Sequence, residues 1–134
     1  MASIDTIEGI GHNQATKLRK ARIRTVEALL KKGATRTGRR EVAAATDIGE
    51  KLILEWENRA DLMRVRGVGE EYSDLLEAAG VDTVKELRRR NPGNLLAAMI
   101  EVNATKMLVR RLPTEAMVER WVEHAAGLEA IIKY

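Results

Sequence analysis

A repeated segment constrains the fold of this chain more than any other feature of its sequence. Residues 7–30 align with residues 65–88 at an offset of 58. Seven aligned positions are identical and three more exchange Ile for Val. The identical pairs are Gly9/Gly67, Gly11/Gly69, Leu18/Leu76, Ala21/Ala79, Thr25/Thr83, Val26/Val84 and Leu29/Leu87. Residues of these types set backbone turns and helix cores, so the alignment predicts an internal duplication of one local structure.

Helical patterning accompanies both copies of the repeat. Each copy begins with two glycines around one aliphatic residue, which permits a tight backbone bend. Thr25 and Thr83 stand where helix N-caps belong, and Gly33 stands where a C-cap belongs. The pattern predicts helices over 12–22, 26–32, 36–46, 49–62, 70–79, 84–90, 94–102, 104–111 and 115–126. We therefore expect an all-α fold of about 8–9 short helices in one compact domain.

The repeat also predicts how the chain is organised. We expect residues 1–64 to hold the first copy with the helices that follow it, and residues 65–134 to hold the second. The two parts are expected to pack as one unit, and the apolar tail LEAIIKY is expected to dock on the protein. No apolar run approaches the roughly 20 residues of a membrane span. The expected protein is therefore soluble and cytoplasmic, without a membrane partner.

Composition narrows the classes of function that the chain can perform. The sequence contains no Cys, which excludes disulfides, thiol catalysis and the usual zinc sites. His12 and His124 belong to no metal-binding motif, and no nucleophile–base arrangement or phosphate-cradling loop of the P-loop type occurs. We therefore expect a protein that is not an enzyme and that holds no metal or cofactor.

Charge separates the two copies of the repeat. The formal charge is +7 over residues 1–40 and −4 over residues 41–134, which together give the net charge of +3. The first copy carries bases and no acids between its second glycine and its threonine: Lys17, Arg19, Lys20, Arg22 and Arg24. The matching stretch of the second copy carries acids and no bases: Glu70, Glu71, Asp74, Glu77 and Asp82. One copy is thus suited to a polyanion and the other should repel it.

The aliphatic-x-Gly-aliphatic-Gly pattern, followed by a helix and then by aliphatic-x-Thr-Val-x-x-Leu, resembles the helix-hairpin-helix superfamily. It also looks like part of the C-terminal domain of the bacterial RNA polymerase alpha subunit, and it is most similar to a bacterial family of unknown function with paired motifs of this kind. The resemblance implies that the hairpin brings backbone N–H groups to a DNA phosphate. On this chain it implies contacts at Gly9, Ile10, Gly11, His12 and Asn13.

Residue spacing adds further candidates to this nucleic-acid site. Asn13, Lys17, Lys20 and Arg24 recur at helical intervals, opposite the face of the apolar residues of the same segment. We expect non-specific binding of DNA backbone phosphates through the first hairpin, and the resemblance favours duplex DNA. The second hairpin, with acids at its helix start, is interpreted as a structural or protein-binding copy.

Two other interpretations stay open at this point. The first hairpin can be a tight helix connector with a solvated basic face. Alternatively, the chain can be an interaction or scaffold module, in which basic and acidic repeats meet in a homo-oligomer or an acidic protein surface binds the basic copy.

Overall fold

The computed structural model describes residues 2–7 and 9–134 and is all-α, as predicted. Its helices are α1 (His12–Lys20), α2 (Val26–Lys32), α3 (Arg36–Thr46), α4 (Glu50–Leu62), α5 (Glu70–Ala78), α6 (Val84–Leu87), α7 (Pro92–Lys106) and α8 (Glu115–Ala126). A 3-10 turn at Ile4–Thr6 precedes them. Among the described residues no strand forms, and an isolated antiparallel bridge joins Ser3 to Thr25. None of the described helices is both long and apolar enough to cross a membrane.

The chain forms two compact units. Unit 1 comprises Met1–Asp61 together with Ile131–Tyr134, and unit 2 comprises Leu62–Ala130. In unit 1 helix α3 packs against α1 and α2, and the 3-10 turn packs against the same two helices. The apolar core of unit 1 consists of Ile4, Ile7, Ile10, Ala15, Leu18, Ile23, Val26, Leu29, Leu30, Val42, Ile48, Ile53, Trp56, Ala60 and Ile132.

Capping residues define the helix boundaries of unit 1. The Thr25 hydroxyl accepts a hydrogen bond from the Ala28 N–H at 3.0 Å, and Gly33 forms the C-cap of the same helix, α2. The last four residues return to this unit, because the Lys133 N–H donates to the Ala34 carbonyl at 2.7 Å. The predicted caps and the docked tail are thus confirmed.

In unit 2 helix α8 packs against α6 and α7, and α7 packs against α5. Thr83 caps α6, where its hydroxyl accepts from the Glu86 N–H at 3.3 Å. The core consists of Leu62, Val65, Val68, Leu75, Leu76, Val81, Val84, Leu87, Leu95, Met99, Val109, Val118, Trp121 and Ala125. Short helices with aliphatic cores in both units agree with a sequence that contains no Phe.

The predicted pair of helices over 94–102 and 104–111 is wrong. A single helix, α7, begins at Pro92 and ends at Lys106. The Asn103 side chain ends it, because its Oδ1 accepts from the Val109 N–H at 3.0 Å and its Nδ2 donates to the Val109 carbonyl at 3.1 Å. Met107 adopts a left-handed backbone with φ 51°. The side-chain amide thus takes backbone groups that a second helix would have needed.

Candidate nucleic-acid interface

The first hairpin of the sequence is a tight turn that precedes α1. The Ile10 N–H donates to the Ile7 carbonyl at 3.2 Å, and Gly9 has a φ of +93°. A Cβ at Gly9 would lie 3.5 Å from the indole Nε1 of Trp56, a residue that is 1% exposed. Only glycine adopts this backbone without strain, so Gly9 is required by the turn itself.

Helix α1 begins without a side-chain cap. Gly11 is the N-cap residue, with φ −80° and ψ 178°, and has no side chain to accept from the first-turn N–H groups. His12 and Asn13 follow it and are exposed. Unpaired N–H groups and the positive end of the helix dipole make such a start suited to an anion. The predicted residues Gly9 to Asn13 thus form the turn before α1 and the first residues of that helix.

Ile10 lies in the core, whereas the resemblance implied that it contacts DNA. Its side chain is 7% exposed and belongs to the core of unit 1, and its N–H already bonds to Ile7. Ile10 therefore holds the turn in place, and the exposed parts of the hairpin are the two glycines beside it.

The predicted basic residues are all exposed, but they do not all share one helix. Lys17 and Lys20 lie on α1. Arg24 follows the end of α1, and its carbonyl accepts the Ile4 N–H at 3.0 Å. The helical-spacing argument therefore holds for the two lysines and fails for Arg24, because α1 ends at Lys20 and Ala21 is its C-cap.

Arg22 is a cation that sequence reasoning left out of the candidate site. It is exposed and has a φ of +66°, a left-handed backbone that is rare for an arginine. The aligned position in unit 2 is Gly80, with φ +95°. A non-glycine residue in this conformation costs about 1 kcal/mol. The alignment of an arginine with a glycine at a turn was the signal that could have identified it.

The second hairpin has the same backbone geometry as the first. The Val68 N–H donates to the Val65 carbonyl at 3.0 Å, and Gly67 has a φ of +90°. A Cβ at Gly67 would lie 3.1 Å from Nε1 of Trp121. Gly69 is the N-cap of α5 and makes no side-chain cap hydrogen bond. The two turns therefore share a backbone hydrogen bond of the same span, a first glycine with positive φ and a helix start without a side-chain cap, and they differ in their side chains.

Acidic side chains occupy the helix start that follows the second hairpin. Glu70 and Glu71 lie in the first turn of α5, where carboxylates favour the helix dipole. Burial raises the pKa of Asp82, and the neighbouring carboxylates of Glu86 and Glu77 raise it further. The stretch of unit 2 from residue 70 to residue 82 is thus rich in negative charge.

Arginines that are distant in sequence lie beside these acids. Arg110 and Arg111 line a surface cleft together with Gly67, Glu70 and Glu71. The Tyr72 hydroxyl donates to the Arg111 carbonyl at 3.0 Å and holds that segment near α5. Sequence reasoning had placed both arginines in a helix, so it missed their position. The second hairpin is less negative than its own sequence suggests.

Unit 1 also contains a buried acid, Glu57, outside the predicted binding residues. Its side chain is fully buried on α4, and neither carboxylate oxygen has a hydrogen-bond partner among the described residues. Burial raises the pKa of Glu57 to about 8, while the positive charge of Arg39 lowers it and the charge of Asp61 raises it. Arg39 is 5% exposed and donates instead to the carbonyls of Gly33 and Lys133, at 2.8 Å each.

In the described part of the chain, no group of three or more His, Asp or Glu residues is placed to hold a metal ion.

Comparison with known proteins identifies a family but no function. No curated protein and no solved structure matches the sequence. Residues 8–128 match a family described as a domain of unknown function, DUF4332. The chain belongs to this family, DUF4332.

Proposed function

We propose that this protein binds nucleic acid without strong sequence preference, through the backbone phosphates of duplex DNA. The first hairpin and α1 would supply the contacts: exposed backbone at Gly9 and Gly11, the helix start at His12 and Asn13, and the lysines of α1. No catalytic step is part of the proposal. The helix-hairpin-helix relationship and the internal duplication, on which the preference for DNA depends, belong to the same proposal.

One observation carries the proposal most strongly. Helix α1 has an uncapped N-terminus and no acidic residue in its first turn, and Lys17 and Lys20 lie exposed along it. Helix α5 follows the same kind of turn and begins with two glutamates. Of these two similar helix starts, the first is free of acids and its helix carries lysines and an arginine in the last turn, whereas the second carries two glutamates in its first turn. The difference favours the first as the phosphate site.

Arg22 adds support of a different kind. An arginine at φ +66° is less favourable than the glycine that occupies the aligned turn of unit 2. An arginine in this conformation has a function if its side chain contributes a cation beside the lysines of α1. Strained non-glycine residues concentrate at functional sites.

Fluorescence anisotropy with labelled duplex, single-stranded and branched DNA tests the proposal over a range of salt concentrations. Binding should weaken steeply with salt, because contacts to phosphates release counterions. Lys17→Ala and Lys20→Ala should each reduce the slope of log K against log salt by about one unit. Lys106→Ala, at an exposed position of unit 2, should leave the slope unchanged. Equal slopes in all four proteins would refute the assignment of the lysines.

A pair of matched glycine variants separates a phosphate site from a structural turn. Gly11→Asp places a carboxylate at the N-cap of α1, where its backbone angles suit aspartate and a Cβ would have only an ordinary contact with Gln14. The change should stabilise unit 1 by about a few tenths of a kcal/mol and abolish DNA binding. Gly69→Asp makes the same change at α5 and should leave binding intact. Loss of binding in both variants, or in neither, would contradict a site confined to the first hairpin.

The alternative function is an interaction module in which α1 of one molecule meets the acids of α5 in another. Its support is the charge contrast between the two helices. The presence of Arg110 and Arg111 beside Glu70 and Glu71 weakens it, since the acids are already partly compensated. Analytical ultracentrifugation at low salt, without DNA, distinguishes the two functions. A sedimentation coefficient that grows with concentration and falls with added salt would favour the interaction module.

A further inference from the structure

Unit 2 contains a cavity that the proposed DNA contact does not use. Its volume is about 570 Å³, within the range of small-molecule sites. The lining residues come from the second hairpin and from one face of α8: Arg66, Gly67, Met117, Arg120, Trp121, Glu123 and His124. The cavity thus combines an apolar wall with several groups that can donate hydrogen bonds.

The imidazole of His124 is fixed in one tautomer at this cavity. The backbone N–H of Arg66 donates to Nδ1 of His124 at 2.9 Å. A backbone N–H can only donate, so Nδ1 carries no proton and accepts. The proton of the neutral ring is therefore on Nε2, and that N–H is the polar group that His124 can offer to a ligand.

Two arginines provide positive charge at the same place. Arg66 and Arg120 are exposed, and in the part of the chain that the structure describes neither forms a salt bridge within 4.0 Å. Glu123 is the one carboxylate in the lining. The guanidinium groups and the Nε2–H of His124 are donors that match the oxygens of a phosphate group.

The apolar part of the lining comes from Met117 and Trp121. Trp121 is 2% exposed. The centroid of its ring lies 5.1 Å from the ring centroid of Tyr72, and this contact holds the indole in place. Trp121 therefore contributes little accessible surface, and the partly exposed Met117 supplies most of the apolar lining. This lining beside a cationic rim suits a ligand with an apolar body as well as an anionic group.

We propose that this cavity binds a small organic phosphate of nucleotide size. Arg66 and Arg120 contact the phosphate, the Nε2–H of His124 donates to it, and the body of the ligand lies against Met117 and Trp121. The proposal does not depend on DNA binding by the first hairpin, because all its residues lie in unit 2.

Titration of the ¹⁵N-labelled protein with adenosine monophosphate tests the proposal by nuclear magnetic resonance. The indole N–H signal of Trp121 and the ring signals of His124 should shift and saturate. Inorganic phosphate should shift the His124 signals, and adenosine, which lacks the anion, should bind at least about tenfold more weakly. Equal affinity for adenosine and adenosine monophosphate would overturn the proposal.

Variants and a competitor complete the experiment. Arg120→Ala should weaken binding of adenosine monophosphate about tenfold, whereas Arg89→Ala, at another exposed arginine of unit 2, should not change it. Both variants should keep the dispersed spectrum of the folded protein, because the altered side chains are exposed. Unchanged affinity in Arg120→Ala would refute the site. If a short DNA duplex shifts the same signals at lower concentration, the cavity takes a nucleic-acid phosphate and the small-molecule assignment is overturned.

Discussion

Ionisation of Glu57 should make unit 1 less stable as the pH rises. Its carboxyl group is fully buried without a hydrogen-bond partner among the described residues. The pKa of Glu57 is about 8 in the folded protein and 4.5 in the absence of burial. Within this interval the folded chain keeps a proton that the unfolded chain has lost. The contribution of the protonated Glu57 to the stability of unit 1 is therefore fully present below pH 4.5. It declines as the pH rises, until the carboxyl of the folded protein ionises near pH 8.

The size of the effect follows from the two pKa values. Each unit of difference is worth about 1.4 kcal/mol in the free energy of unfolding. The rise from 4.5 to about 8 therefore corresponds to a loss of about 5 kcal/mol, an upper figure because the buried site can relax or admit water when Glu57 ionises. The loss is comparable to the total stability of a small domain.

The test compares Glu57→Gln with the wild type between pH 4.5 and 8.5. The variant keeps the size of the side chain and removes its titration. Glu55→Gln, at an exposed position of the same helix, controls for the loss of one acid. Urea unfolding followed by circular dichroism gives the total free energy of unfolding, and amide hydrogen exchange in α4 reports on unit 1 itself.

The difference in unfolding free energy between wild type and Glu57→Gln should change by about 3–5 kcal/mol across this range. The same difference for Glu55→Gln should stay constant. Parallel pH profiles for wild type and Glu57→Gln would show that the carboxyl is either solvated or paired in solution, and would refute the reasoning.

Three further predictions concern stability and are checked by chemical unfolding. Gly33→Ala should be destabilising, because the new Cβ would collide with the Glu57 carboxylate, and adding Glu57→Ala should restore part of the loss; additive effects would contradict the contact. Gly67→Ala should cost at least about 1 kcal/mol because of its positive φ and its closeness to Trp121, whereas Gly69→Ser should be neutral or stabilising. Thr25→Ala should cost about 1 kcal/mol through loss of the cap, and no loss would show that the hydroxyl is replaced by water.

Local signals were strong enough to predict most of the fold. Thr25 and Thr83 act as N-caps because a hydroxyl at that position accepts an N–H from its own helix. The bounds of α2, α3 and α8 agree with the predicted ranges. The single α7 was missed because its end depends on the side chain of Asn103, which competes for backbone groups further along the chain.

The candidate site likewise contains some features that the sequence predicted and others that depend on packing. The glycine turn, the helix start and the exposed lysines follow from residues that are close in sequence, so the pattern alone located them. The buried position of Ile10 and the left-handed backbone of Arg22 could not be read from spacing, because they depend on how the turn packs.

The sequence by itself determined the helical class, the caps, the two glycine turns and the opposite charges of the two aligned segments, since each of these depends on neighbours within a few residues. Tertiary structure decided which distant groups meet. It placed arginines from the segment before α8 beside the acids of α5, set Arg66 against His124, and enclosed Glu57 beneath Gly33. Burial and long-range contact arise only when helices pack, and they set the charge of the second hairpin, the tautomer of His124 and the pKa of Glu57.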